Sequence, residues 1–391
     1  MSTRTKNNCL AAAVLLSYLF VTANARADEI IKFGLSLPLS GAGAVFGKGS
    51  EWMCKKAAQE IKDAGGIKVK GKVYNIDCIG YDNKYTSAEA TKVAQTLLAR
   101  DGVKYIFAFG TAPVLATQSL TERQGVLMLH TAWGKNVKGP QFPLSFATNN
   151  SAFEIVPAVV SYITKTYPNA RTIFLADAND ATGHETESVA RPAWEKAGVK
   201  VVASDFYERG TTEFQPVAAR IMSFHPDIVD LSSVLPADGG IIFKELEVLG
   251  YKGIKITDNG SGVDALTASG GAAANNVYMA LALPFDGPST TDYQRKINDE
   301  ARAYLGESLN LGTVPGYDAV QILKAGMEKA QSIDPKEVAK VLPTVKFKSF
   351  LGDGIGFGGT ETYGYAQAPN LPVFITQIVD GKLIEKQRID R

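Results

Sequence analysis

Histidine and cysteine are scarce in this chain, three of each in 391 residues. His130, His184 and His225 have no metal-ligand spacing with one another, so no histidine-built metal centre is expected. The chain lacks a Gly-x-Ser-x-Gly nucleophile elbow and a Walker-type phosphate loop. Gly41, Gly43 and Gly47 share one loop, but without the spacing of a dinucleotide fingerprint. Neither sign of charge is in excess, with 41 Lys plus Arg against 40 Asp plus Glu. That balance supplies no global field for nucleic acid or an anionic membrane. Beyond the N-terminal segment no apolar run is long enough to span a bilayer. These absences argue against an enzyme, a cofactor, a metal and a nucleic-acid partner.

What is present begins with a leader over residues 1–27. Arg4 and Lys6 make a positive start, residues 10–21 are apolar, and Ala23-Asn24-Ala25 and Ala25-Arg26-Ala27 are small-x-small cleavage sites. Cleavage is expected after Ala27, which leaves Asp28 as the mature N-terminus outside the cytoplasm; an uncleaved anchor is the alternative. Cys9 precedes the apolar stretch instead of ending it, so no lipoprotein is expected. Two cysteines remain, Cys54 on a predicted helix and Cys78 on the next predicted strand. An oxidising compartment permits a disulfide between them, and two buried thiols are the other reading.

A chain of this length is expected to form two domains. Strand candidates at 30–37, 73–81, 103–109 and 126–129 alternate with helices at 47–63, 87–100 and from 114. After a helix at 151–166 the pattern restarts, with strands at 172–176, 199–206, 228–232 and 277–283 and helices at 182–197, 213–223 and 237–249. Such alternation predicts parallel, doubly wound sheets. Helices at 291–304 and 315–329 need a sheet to cover, and the first lobe is the one short of elements. The expected fold is therefore α/β, two doubly wound parallel-sheet lobes joined by a three-strand hinge. Lobe one takes residues 28–147 plus 284–360, and lobe two takes 148–283 plus 361–391.

Open parallel sheets bind ligands beyond the carboxyl ends of their strands. In lobe one those ends carry Ser40 to Gly47, Gly110-Thr111-Ala112-Pro113 and His130-Thr131-Ala132-Trp133-Gly134. Backbone N–H groups at the following helix starts, helped by the Thr111 and Thr131 hydroxyls, suit a carboxylate. In lobe two the ends carry Asp177 to His184, Val234-Leu235-Pro236 and Asp258-Asn259-Gly260. Asp180 or Asp258 is placed to accept from a ligand; helix capping is the competing role for Asp180.

Several short strings in order give the chain a resemblance: Ile31-Lys32-Phe33-Gly34 with Ser40-Gly41, Ala64-Gly65-Gly66-Ile67, Tyr81-Asp82-Asn83, Gly125-Val126-Leu127-Met128 and Gly316-Tyr317-Asp318-Ala319. Together they resemble the periplasmic leucine/isoleucine/valine-binding proteins, the type I periplasmic binding protein fold. The resemblance implies a periplasmic, monomeric receptor whose lobes close on a ligand and which docks on ABC-transporter permease subunits. It implies ligand roles for Phe46, for Thr111 and Ala112 in the carboxylate loop, and for Tyr317. It also aligns Trp133 and Gly134 with a small residue and a threonine, Thr182 (or Ala181) with a tyrosine, and Asn259, beside Asp258, with the acid that meets an amino group. Those positions depart from the family pattern. An amino acid or related small carboxylate is expected, with an aromatic or aliphatic carboxylic acid as the alternative, Trp133 offering either a stacking face or packing. A ligand-sensing receptor domain is the reading from a different class.

Overall fold

The computed structural model describes residues 29–258 and 262–391. The leader and Asn259 lie outside the described residues. β1 (Glu29–Leu37), α1 (Ala44–Asp63), β2 (Ile67–Val69), β3 (Lys72–Asp82), α2 (Ser87–Ala99), β4 (Tyr105–Ala108), α3 (Thr111–Gln124), β5 (Leu127–His130) and β6 (Ser145–Ala147) build the first lobe. Its sheet runs β2-β3-β1-β4-β5-β6. Every residue of β4 is buried, as a strand covered on both faces requires. Cys54 of α1 and Cys78 of β3 form a disulfide with their Cα atoms 6.5 Å apart, which ties a helix to the sheet beneath it.

The second lobe follows with α4 (Ala152–Thr166), β7 (Thr172–Ala178), α5 (Ala181–Lys196), β8 (Lys200–Tyr207), α6 (Gln215–Met222), β9 (Ile228–Asp230), α7 (Pro236–Val248), β10 (Ile254–Thr257), α8 (Val263–Gly270) and β11 (Val277–Met279). Ser151 and Glu154 form a capping box that starts α4 where the chain enters this lobe. The chain then returns to the first lobe with α9 (Asp292–Leu305), α10 (Pro315–Ala330) and α11 (Pro335–Val341), followed by β12 (Lys346–Ser349), β13 (Gly352–Gly358), α12 (Thr360–Tyr363) and β14 (Ala368–Pro369). It finishes in the second lobe with β15 (Val373–Val379) and β16 (Lys382–Ile389), giving the sheet order β16-β15-β11-β10-β9-β7-β8.

The protein is α/β with two lobes, but neither sheet is purely parallel. β2 runs antiparallel to β3, and β15 runs antiparallel to both β11 and β16. β2–β3 and β15–β16 are hairpins, and a hairpin can only be antiparallel; β15 meets β11 from the opposite direction after the chain has passed back through lobe one. A further antiparallel sheet, β12-β13-β14, was not expected. β14 pairs with β13 before the chain reaches β15 of the second lobe's sheet. Among the described residues no helix is long and apolar enough to cross a membrane.

The string Gly316-Tyr317-Asp318 has a structural role. A Cβ on Gly316 would sit 2.0 Å from the Ser50 carbonyl oxygen of α1, so glycine lets α10 approach α1. Tyr317 is fully buried, and its hydroxyl donates to Glu60 Oε2 at 2.9 Å. Asp318 accepts from Ser349 Oγ at 2.7 Å and from the Phe350 N–H at 2.8 Å. Gly316→Ala should therefore lower stability by roughly 1–3 kcal/mol, the usual cost of overpacking. Urea unfolding measures this, and an unchanged midpoint would mean that α10 shifts freely.

Candidate ligand-binding cleft

The strands of both lobes end at one gap. Lobe one lines it with Phe46 of α1, Tyr85 after β3, Phe109 and Gly110 after β4, and Thr131 and Trp133 after β5. Lobe two supplies Arg209 after β8 and residues 233–236 after β9. Asn149 and Leu281 come from passages between the lobes, and Leu311, Gly312 and Pro315 close the gap at the start of α10. Phe46 and Phe109 stack, with centroids 5.7 Å apart and planes 13° from parallel. Tyr85 tilts against Phe109 at 6.3 Å.

Tyr85 is held by the buried Asn83. The Asn83 amide donates to the Ser36 carbonyl at 3.0 Å, and its Oδ1 accepts from the Tyr85 N–H at 2.8 Å. These bonds stabilise a left-handed pair, Lys84 at φ 49° and Tyr85 at φ 59°.

Arg209 spans to the Tyr85 ring, its guanidinium carbon 5.4 Å from the centroid. Its Nε donates to Asp180 Oδ2, and Nη2 reaches the Ser233 carbonyl at 3.5 Å. Nη1 is buried and has no hydrogen-bond partner among the described residues. Burial works against the guanidinium charge, yet Tyr85 and Asp180 keep the group protonated.

Of the residues expected at the site, Phe46, Thr131, Trp133 and Leu235 line the cleft. The others lie elsewhere. Thr111 and Ala112 open α3 and Thr182 opens α5, and these helix ends meet each other across the lobes. Thr182 Oγ1 donates to Thr111 Oγ1 at 3.2 Å, and Thr111 Oγ1 also accepts from the Trp133 N–H at 3.0 Å. The Thr111 and Thr182 hydroxyls thus have protein partners. Gly134 packs against Asn136, whose Oδ1 would lie 2.5 Å from an added Cβ. Ser40 donates to Asp82 Oδ2 at 2.5 Å on an exposed loop. Asp180 accepts from the Thr182 and Gly183 N–H groups at 2.9 and 3.0 Å, the capping role. Asp258 is fully buried away from the cleft lining, and Tyr317 belongs to the core of lobe one.

Tyr85, Phe109, Asn149 and Arg209 were not anticipated. Tyr85 and Arg209 each follow a parallel strand, so the strand-end rule reaches them. Neither stands in a glycine-rich loop of the kind that marks the other strand ends.

The sequence model of the family described as periplasmic binding protein matches residues 30–382. A leucine-, isoleucine-, valine-, threonine- and alanine-binding protein of Pseudomonas aeruginosa is 25% identical over 85% of this chain and 86% of its own length. Among solved structures, a leucine-binding protein of Thermotoga maritima superposes with TM-score 0.79 at 18% identity, covering 92% of this chain and 99% of its own. A solute-binding protein of an ABC transporter from Rhodopseudomonas palustris, in complex with 3,4-dihydroxybenzoic acid, gives TM-score 0.77 at 21% identity, covering 92% and 97%. With two α/β lobes, a gap at their strand ends and a match over nearly the whole described chain, the protein belongs to the periplasmic binding proteins of the leucine/isoleucine/valine-binding type, and is a binding protein, not an enzyme.

Proposed function

We propose that this chain is the exported solute-binding component of an ABC-type importer and encloses an amino acid or related small carboxylate between its lobes. The observation that carries this is the gap itself, lined from both lobes at the ends of parallel strands. A ligand touching both lobes has the differential affinity needed to drive closure. The interlobe contacts support a closed arrangement: Thr182 to Thr111, and the Lys135 N–H to Glu185 Oε1 at 2.9 Å. The relatives named for amino acids and the neighbour holding a dihydroxybenzoate both fit a small acid. The leader read in residues 1–27 assigns the work to the periplasm, where the protein acts as a monomer and delivers ligand to permease subunits.

Thermal denaturation against a panel of amino acids and aromatic and aliphatic acids tests the proposal. At a hundred times its Kd a true ligand should add about 2.7 kcal/mol of stability. The ligand should be recovered unchanged. A flat response across the panel would remove the reading.

A further inference from the structure

We propose that the cleft takes an aromatic carboxylate that carries no ammonium group, with the carboxylate anchored from lobe two by Arg209. The inference rests on the solute-binding reading above and reverses the expected polarity, in which lobe one holds the carboxylate.

The Arg209 guanidinium has five N–H donors in a rigid fork. Asp180 takes Nε, Nη2 makes one long contact with the Ser233 carbonyl, and the buried Nη1 makes none. A buried donor left unsatisfied is costly, the more so when charged. A carboxylate accepting from the two terminal nitrogens satisfies them bidentately, on an edge that Asp180 does not use. Asp180 itself is fixed by capping α5, so the fork is held in place before any ligand arrives.

No Asp or Glu is among the residues lining the cleft. Asp180 is committed to the α5 cap and to Arg209. Behind Ser233 of the lining lie Asp177, Asp230 and Asp258, which are buried and held toward their protonated forms. Residues 259–261, outside the described residues, are Asn, Gly and Ser and carry no carboxyl group. An amino acid enclosed here would set its ammonium against a lining without a carboxylate, which is unfavourable. The Phe46–Phe109 stack, the tilted Tyr85 and Trp133 present aromatic surface to the same space, which suits a flat ring in stacked or edge-on packing.

Calorimetric titration of the purified protein with matched pairs tests this without any variant. Benzoate should bind about 100-fold more tightly than benzamide, and 3-phenylpropanoate about 100-fold more tightly than phenylalanine, which differs only by its amino group. Arg209→Gln should weaken the two acids by roughly 10- to 100-fold while benzamide is unaffected, and Arg209→Lys should recover part of the loss. Circular dichroism of each variant separates lost binding from lost folding. If phenylalanine or leucine binds more tightly than the matched acid, or the acids ignore Arg209→Gln in a folded protein, the inference is overturned while the solute-binding reading stands. If none of these compounds binds, the inference is overturned, and the broad thermal-denaturation panel alone decides the solute-binding reading.

Discussion

Asp258→Asn is expected to stabilise this protein at pH 7, with the gain shrinking as the pH falls toward 4. Asp177 is the penultimate residue of β7, Asp230 ends β9 and Asp258 follows β10, and all three are buried. Ser233 lies beside Asp177, Ser232 and Trp194 lie beside Asp230, and Asp230 and Asp258 lie beside each other. Burial raises each of these acids above the usual carboxylate range, Asp230 to about 6, and the charges of Asp230 and Asp177 raise Asp258 further.

The sign follows from proton counting. Between the unfolded value of about 4 and the raised folded value, the native state holds more protons than the unfolded chain. Stability therefore falls as pH rises through that window, by up to about 1.4 kcal/mol per pH unit for one proton. Asparagine keeps the shape and an uncharged donor and takes up no proton on folding. Urea unfolding of the two proteins between pH 4 and pH 8 gives the comparison. A variant that is neutral or less stable at pH 7 would mean that a positive charge balances the three acids.

Loss of the Cys54–Cys78 disulfide should cost about 3–4 kcal/mol, the loop-closure entropy for the 24-residue separation. The bond joins α1 to β3, and both cysteines are buried, so reduction requires that layer to open. Unfolding of a Cys54→Ala/Cys78→Ala protein, compared with the oxidised parent, should show this fall. Ligand affinity should stay nearly constant, because neither residue lines the cleft. A loss below about 1 kcal/mol would mean that the unfolded chain already holds the two segments together.

The two-lobed architecture was legible because each central strand is short and largely apolar and is followed by a helix. β4 is an example, four buried residues between α2 and α3. The antiparallel additions were harder to read. β16, Lys-Leu-Ile-Glu-Lys-Gln-Arg-Ile, is an edge strand with polar side chains along its length, and β13 is rich in glycine. Neither carries the hydrophobic signal that marks a buried strand. The capping role of Asp180 and the pairing of Cys54 with Cys78 were among the alternatives that local pattern left open.

The cleft was legible as a place and less so as a set of side chains. Strand ends locate it by topology alone, and Phe46, Thr131, Trp133 and Leu235 line it. Thr111 and Thr182 look like donors for a ligand in the sequence, yet the approach of the lobes makes them partners of each other. Tyr317 looks like a ligand aromatic, yet the glycine before it draws it into the core of lobe one. Local pattern was enough for the α/β class and the two lobes. That Arg209, Tyr85 and the Phe46–Phe109 stack face one space came only with the packed lobes. Local pattern records which face of an element is buried, whereas residues more than a hundred positions apart meet only when two separately folded lobes are set against each other.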